Sequence, residues 1–138
     1  MTGRSFVDTN IIVYAHDADA GEKHKIAAAK LEEWWRKDAP PAVSIQVLQE
    51  TYAVLLKKGM PARELSQLIE DLLKWDVVVN NETVLLEGMR LQHKFKISIW
   101  DVFIIAAAKE AGARNIISED LSHAAEYEGI KVINPFIR

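Results

Sequence analysis

The chain is 138 residues long, carries a formal net charge of −3 and contains no cysteine. This length suits one domain, 1–138, with a core of its own, and the missing cysteines exclude disulfides, thiolate catalysis and Cys-ligated zinc. No apolar stretch approaches the roughly 20 residues that span a bilayer, and residues 1–5 leave no room for a signal peptide, so we expect a cytoplasmic protein without a membrane partner.

Short apolar runs alternate along the chain with longer segments of helical periodicity. The apolar runs predict strands at 5–7, 42–44, 76–79, 115–118 and 131–133. The periodic segments predict helices at 10–16, 22–36, 46–58, 62–74, 82–94, 102–111 and 121–128. Strands that alternate with helices indicate a mainly parallel sheet covered on both faces, so we expect an α/β protein with three α/β/α layers.

The first predicted strand is followed directly by Asp8, Thr9 and Asn10, which interrupt an apolar run. This triplet falls at the carboxyl end of a strand, where open α/β sheets build their ligand crevices. Two roles fit Asp8. It is either the N-cap of the following helix or a metal ligand, with Thr9 or Asn10 orienting a water or another carboxylate. Three oxygen-bearing side chains at a crevice favour the ligand role.

Glu50 lies on the helix predicted at 46–58. An apolar stripe, widened by Val47 and Val54, predicts the core face of this helix at Ile45, Leu48, Tyr52, Leu55 and Leu56. Glu50 sits where that stripe gives way to polar residues, so taken alone it fits a solvated surface position. It becomes a candidate ligand because its helix begins at the sheet edge where the crevice is expected.

Asp101 heads a helix that should be buried on every side, since Val102 and the six residues after it are all apolar. Ser98 and Asp101 have the spacing of a capping box, which would give this carboxylate a structural role. A carboxylate at the head of a buried helix costs several kcal/mol to desolvate unless a cation or hydrogen-bond donors compensate it. The ligand role is therefore favoured.

Asp120 lies in the polar turn between the strand at 115–118 and the helix predicted at 121–128. One interpretation makes it the N-cap of that helix. Ser118 and Glu119 are equally near the crevice, but an inward Ser118 in an extended segment leaves Glu119 outward and turns Asp120 inward. Asp120 is therefore preferred over Glu119 as the candidate ligand.

Together these four acids predict an all-oxygen site for Mg²⁺ or Mn²⁺, if the fold gathers them at one edge of the sheet. The net charge of −3 disfavours tight, sequence-independent binding of nucleic acid but allows an enzyme that touches phosphates transiently. The alternative is a non-enzymatic small α/β binding module whose acidic residues only cap helices. A phosphatase of the haloacid dehalogenase type is set aside, because that chemistry needs a second Asp where this chain has Asn10.

The chain resembles the PIN-domain nucleases, and within them the VapC toxins of toxin–antitoxin pairs. Four fragments carry the resemblance over essentially the whole chain. In order they are Phe-Val-Asp-Thr-Asn at 6–10, Gln-Glu at 49–50, Ile-Trp-Asp-Val-Phe-Ile-Ile-Ala-Ala-Ala at 99–108 and Ile-Ser-Glu-Asp-Leu at 117–121.

That resemblance implies a central five-stranded parallel sheet and Mg²⁺- or Mn²⁺-dependent hydrolysis of RNA phosphodiester bonds by the toxin of a type II toxin–antitoxin system. It also implies a homodimer and inhibition by a cognate antitoxin. The family's first-motif hydroxyl and amide fall on Thr9 and Asn10, and Ser118 takes its Ser/Thr position. The family's acidic positions fall on Asp8, Glu50, Asp101 and Asp120.

Trp34 and Trp35 are neighbours on the helix predicted at 22–36. Adjacent helical positions differ by about 100°, so both rings cannot easily share one buried face. We expect one of them either at a dimer or antitoxin surface or as a partly exposed ring that covers the core.

Overall fold

Six strands form one sheet in the computed structural model of the chain, which describes residues 4–37 and 40–137. They are β1 (Ser5–Val7), β2 (Ala42–Ser44), β3 (Asp76–Val78), β4 (Asn115–Ile117), β5 (Glu126–Tyr127) and β6 (Ile130–Ile133). Across the sheet the order is β3-β2-β1-β4-β6-β5. All neighbours pair in parallel except β5, which pairs antiparallel with β6. The expectation about a signal peptide concerns residues 1–5, of which 1–3 lie outside the described ranges.

Six helices flank this sheet. They are α1 (Thr9–Ala15), α2 (Glu22–Arg36), α3 (Ile45–Lys57), α4 (Ala62–Leu72), α5 (Glu82–Phe95) and α6 (Ile99–Glu110). The α/β architecture with a mainly parallel sheet is therefore confirmed. Within the described ranges, no helix combines the length and the apolarity needed to cross a bilayer.

The helix predicted at 121–128 is wrong, and the five predicted parallel strands are joined by a sixth, antiparallel one. These residues form turns and then β5, which returns along β6 as a hairpin. Glu128 and Gly129 link the two strands with φ angles of 51° and 90°. Two successive residues with positive φ are the requirement of the tight type I′ hairpin turn, and they are incompatible with an α-helix. The C-terminal part of the sheet thus gains a short antiparallel edge strand.

The strand order places the carboxyl ends of β2, β1 and β4 side by side. Val7 lies opposite Ile117 at the ends of β1 and β4, and the N–H of Asp8 donates to the Ile117 carbonyl at 3.0 Å. Asp8 and Ser118 therefore leave neighbouring strands at the same edge. Helix α3 starts from this edge as well, directly after β2.

Helix α6 packs into the centre of the molecule, as its apolar sequence predicts. Val102, Ile105 and Ala107 are almost inaccessible to solvent, whereas Phe103 is half-buried beside α5. Gly88 of α5 lies against the Phe103 ring, and a Cβ atom at that position would come within 2.5 Å of it. The missing side chain at Gly88 therefore lets the two helices approach closely and fixes the place of Phe103.

The buried face of α3 differs from the predicted one. Val47, Leu48, Thr51 and Leu55 are buried, while Tyr52, Val54 and Leu56 are each more than a third exposed. The apolar stripe of this helix is wider than the surface that its neighbours cover, so periodicity identifies Leu48 and Leu55 correctly but wrongly includes Tyr52 and Leu56. The hydroxyl of Thr51 is buried as a result, and it has no hydrogen-bond partner in the part of the chain that the structure describes.

Thr51→Val should raise the free energy of unfolding by about 1 kcal/mol. The substitution keeps the shape of the side chain and removes a buried hydroxyl whose lost hydration is not compensated. Urea unfolding of the two proteins measures the difference. Thr51→Ser is the matched control, because it keeps the hydroxyl, loses the methyl group and should be less stable than the parent. A loss of stability in the valine variant would contradict the prediction.

Trp34 and Trp35 divide as expected, one inward and one outward. Trp34 is buried and Trp35 is 43% exposed. Both rings pack on Trp75, with centroid distances of 6.1 Å for Trp34 and 5.1 Å for Trp35. Trp35 therefore covers part of the core from outside.

Candidate functional site

Asp8 is the most enclosed of the four acids, with 6% of its surface exposed. One carboxylate oxygen accepts a hydrogen bond from the Ser118 hydroxyl at 2.7 Å, and the other accepts from the Thr9 backbone N–H at 2.8 Å. Asp8 is thus the N-cap of α1, as one of its two interpretations predicts. The Ser118 hydroxyl also accepts from the backbone N–H groups of Asp120 and Leu121, which fixes the turn after β4.

Two of the other acids are tied to the residues that follow Asp8. The Asn10 amide donates to both carboxylate oxygens of Asp120 at 2.9 Å. The Thr9 hydroxyl donates to Glu50 at 3.4 Å, and the Gln46 amide donates to the other oxygen of Glu50 at 2.9 Å. Thr9 and Asn10 therefore connect the end of β1 to α3 on one side and to the turn after β4 on the other.

Asp101 lies in the first turn of α6, which begins at Ile99 rather than at the predicted 102. Ser98 precedes this helix, but within the described residues its side chain makes no capping hydrogen bond, so the capping-box interpretation is wrong. A carboxylate in the first turn is favoured by the helix dipole. The residue Asp101 is half-buried.

Glu50 and Asp120 influence the two more buried acids electrostatically. The pKa of Asp8 is raised to about 6, first by burial and also by the charges of Asp120 and Glu50, against the hydrogen bonds from Ser118 and Thr9. Burial also raises the pKa of Asp101, again assisted by the charges of Asp120 and Glu50. Coulombic effects weaken with distance, so the effect of Glu50 and Asp120 on both Asp8 and Asp101 agrees with a location of these acids in one region of the fold.

The pKa of Asp120 is raised as well, by burial first and then by the charges of Glu119 and Glu50, against the hydrogen bond from Asn10. Glu119 itself points elsewhere. Its carboxylate accepts a hydrogen bond from the Tyr14 hydroxyl at 2.7 Å and forms an ion pair with Lys23. The neighbouring acids in this turn therefore face different surroundings. The N-cap role considered for Asp120 is wrong, since no helix follows it.

The donor chemistry of this edge suits a hard divalent cation. Its acidic side chains offer carboxylate oxygens, which Mg²⁺ and Mn²⁺ prefer, and the hydroxyls and amide around them are neutral. Across residues 4–37 and 40–137, none of the four acids forms an ion pair with a lysine, arginine or histidine. Within these ranges Asp8 is therefore a buried carboxylate whose charge no basic side chain offsets.

The acids are near one another without forming a closed cage. Among the described residues, no group of three or more acidic or histidine side chains is close enough to hold one metal ion as the side chains stand. Mutual repulsion is a sufficient physical reason, because uncompensated carboxylates separate as far as their rotamers allow. The site fits a divalent cation by its chemistry and its location, and binding would require the side chains to turn inward.

The sequence-based prediction missed Gln46, which holds Glu50 from the preceding turn of α3. The signal was present, because residues four positions apart lie on the same face of a helix and an amide at that spacing can reach a carboxylate. Asn80 in turn donates to the Gln46 side-chain oxygen at 3.4 Å. No sequence pattern predicts that contact, since it joins residues far apart in the chain.

The chain matches the family model described as the PIN domain over residues 5–128. Among solved structures it is similar to a toxin–antitoxin complex from Klebsiella pneumoniae, with a TM-score of 0.71 and 20% identity over 96% of this chain and 98% of that one. It is also similar to VapC20 from Mycobacterium tuberculosis, described as a sarcin–ricin loop cleaving toxin. That comparison gives a TM-score of 0.65 and 19% identity over 84% of this chain and 89% of the other.

VapBC2 from Rickettsia felis, solved with a DNA fragment of its promoter, has a TM-score of 0.66 and 17% identity over 93% of this chain and 96% of that one. At these identities the solved structures share the fold of this chain. No curated protein sequence matches it.

Proposed function

Because the chain belongs to the PIN-domain family, we propose that it is a metal-dependent endoribonuclease and the toxin of a type II toxin–antitoxin pair. One observation carries the nuclease proposal. Asp8, with its raised pKa, is buried at the carboxyl edge of the sheet, near three further acids and without a basic partner in the described part of the chain. A buried charge of this kind is retained when a bound cation compensates it.

In this proposal Asp8 and Asp101 are the main metal ligands, and Glu50 and Asp120 complete the site or act through water. Mg²⁺ or Mn²⁺, when bound, supplies a water of lowered pKa and positive charge beside the cleaved phosphodiester. The chain's own residues hold the acids in place. Ser118 and the Thr9 N–H fix Asp8.

The remaining supporting residues orient the two outer acids. The Asn10 amide donates to both carboxylate oxygens of Asp120, which limits the rotation of the Asp120 side chain. The Thr9 hydroxyl donates to Glu50 of α3 and limits the rotation of that side chain in the same way. Side chains that orient metal ligands commonly change metal affinity or activity by about 10–100-fold when removed.

RNA as the substrate rests on the family and on the description of VapC20 as a toxin that cleaves the sarcin–ricin loop. An antitoxin partner is supported by the complexes from Klebsiella pneumoniae and Rickettsia felis. A homodimer rests on the family resemblance alone. All three extend the proposal beyond the metal-dependent chemistry of the site.

The competing proposal is a binding module whose acids only cap helices. Asp8 does cap α1, which favours it. The same explanation fails for the other acids, since Asp120 precedes no helix and Glu50 lies within α3. Capping therefore accounts for one of the four positions.

Incubation of the protein with mixed RNA in Mg²⁺, Mn²⁺ or EDTA tests the nuclease proposal. We expect cleavage that requires the metal and falls by roughly a hundredfold or more in Asp101→Asn, because even supporting residues of metal sites cost about 10–100-fold. Glu119→Gln is the matched control. It removes a neighbouring carboxylate that is bound to Tyr14 and Lys23, and it should cleave as the parent does.

Gel electrophoresis of end-labelled RNA follows the reaction. Cleavage that continues in EDTA, or equal activity in Asp101→Asn and the parent, would refute the proposal. Circular dichroism of each variant confirms that the fold is kept.

A further inference from the structure

A cavity of about 470 Å³ opens between the first turns of α3, α5 and α6. Its apolar wall includes Trp100, Phe103 and Leu85, and its polar rim carries the side-chain amides of Gln46 and Asn80. Among the described residues no lysine or arginine lines it, and the one charged residue in its lining is Glu82. A cavity of this size and composition is in the range that small organic groups occupy, and it lacks the cations that would attract a phosphate.

The cavity lining is connected to two of the candidate acids. Gln46 donates to Glu50 at 2.9 Å and accepts from Asn80 at 3.4 Å, so one amide joins the acid to the cavity rim. Trp100, which also lines the cavity, directly precedes Asp101 in the first turn of α6. A molecule that reaches the acids would therefore place its neighbouring groups at this cavity.

The Trp100 ring is available for contact. It is 66% exposed, the largest exposed fraction among the large apolar side chains of the described residues. It meets Phe103 at a centroid distance of 6.0 Å and an interplanar angle of 65°, and Phe103 is held against Gly88. An exposed indole supported by a second ring is the arrangement on which nucleic-acid bases stack.

We infer that this cavity receives an unpaired nucleobase of the RNA, next to the phosphodiester that the acids would cleave. The inference rests on the proposed nuclease function. The base stacks on Trp100, and the amides of Gln46 and Asn80 bond to its edge, as amides do in the recognition of single-stranded RNA. A base is uncharged and planar, which matches a cavity without cations, while the charged phosphate remains at the acids.

Binding of short RNA tests this inference without relying on cleavage. A fluorescently labelled mixed-sequence RNA and an abasic strand of the same length are titrated by anisotropy against Asp101→Asn, so that neither is cut. Adding Trp100→Ala should weaken binding of the mixed-sequence RNA by roughly tenfold, within the range measured for single stacked bases, and should leave the abasic strand unaffected. Trp100→Phe should restore most of the affinity, because it keeps a stacking ring.

Trp35→Ala is the matched control, since Trp35 is an exposed tryptophan that packs on Trp75 away from the cavity wall. It should change neither affinity. Equal weakening of both strands by Trp100→Ala, or no weakening of the base-containing strand, would overturn the inference. A change of oligomeric state with Trp100→Ala, measured by analytical ultracentrifugation alongside equal affinities, would assign the cavity to a second copy of the chain and overturn it too.

The two proposals fail separately in these measurements. Metal-dependent cleavage by the parent without a base-dependent effect of Trp100 leaves the nuclease proposal standing and removes the base pocket. If the parent binds the base through Trp100 but cleaves no RNA, the base pocket stands and the nuclease proposal is refuted.

Discussion

Asp8→Asn should lose RNA cleavage and yet be more stable than the parent at neutral pH. The substitution keeps the size of the side chain and an oxygen that can accept from Ser118, but it removes a buried charge that no basic side chain of the described residues offsets. We expect cleavage to fall by roughly a hundredfold or more and the free energy of unfolding to rise by about 1–2 kcal/mol. Opposite changes in activity and stability are typical of a functional site that keeps an unfavourable charge.

The measurement combines the RNA cleavage assay with urea unfolding in a buffer that contains EDTA. Asp17→Asn serves as the matched control. Asp17 lies just after α1 and, unlike Asp8, forms an ion pair with a basic side chain. Lys58 lies 3.1 Å from its carboxylate and holds the pKa of Asp17 below its usual range. This variant should cleave normally and gain no stability. A fall in stability for Asp8→Asn would mean that the carboxylate is structural, as the capping interpretation requires.

The stability of the metal-free protein should fall as the pH rises from about 4 to about 7. Burial raises the pKa of Asp8 from an ordinary value of 3.8 to about 6, so the folded protein holds this proton more tightly than the unfolded chain does. The stability contributed by the protonated group is complete below about pH 4 and is lost as the pH passes 6. The difference corresponds to about 3 kcal/mol for Asp8, and Asp101 and Asp120 act in the same direction.

Acids with lowered pKa values act with the opposite sign, but at lower pH. Arg90 and then Lys109 lower the pKa of Glu87 to about 2, and Arg90 with Lys94 and Lys109 lowers that of Glu128. The stability that Glu87 and Glu128 contribute is lost only as the pH falls below about 4.5. Between pH 5 and 7 the slope therefore reports on the acids whose pKa is raised, Asp8 above all. Urea unfolding across that interval measures the slope, and Asp8→Asn should flatten it. A stability that rises from pH 5 to 7 in EDTA would contradict the prediction.

The local sequence pattern was sufficient to predict most of the strands and helices. The strand that ends at Val7 and the helix Glu22–Arg36 were predicted at their observed bounds, because a short apolar run and a long periodic segment each identify their own element. A shared sheet edge was predicted for the acids because each lies near a predicted strand end or helix start. Asp8 and Ser118 do leave β1 and β4 at one edge of the sheet, and α3 starts from that edge as well.

The errors came from contacts between distant parts of the chain. The segment 121–128 has acceptable helical periodicity, yet it forms a hairpin whose turn residue Glu128 is held by Arg90, Lys94 and Lys109. Those partners lie on α5 and α6, and nothing within 121–128 reveals them. The buried face of α3 was predicted only in part, since the elements packed against it decide which apolar residues they cover. The cavity beside Trp100 is formed by three helix starts and could not be located from any one of them.

The antiparallel hairpin of β5 and β6 has a consequence for the behaviour of the protein at high concentration. A sheet that ended at β6 would offer four residues of unpaired backbone to a strand from another molecule. With β5 in place, the outermost strand is only two residues long and is followed by a charged turn. Such a short edge strand is a poor template for pairing with a strand of another molecule. The hairpin therefore protects this edge of the sheet against fibril formation.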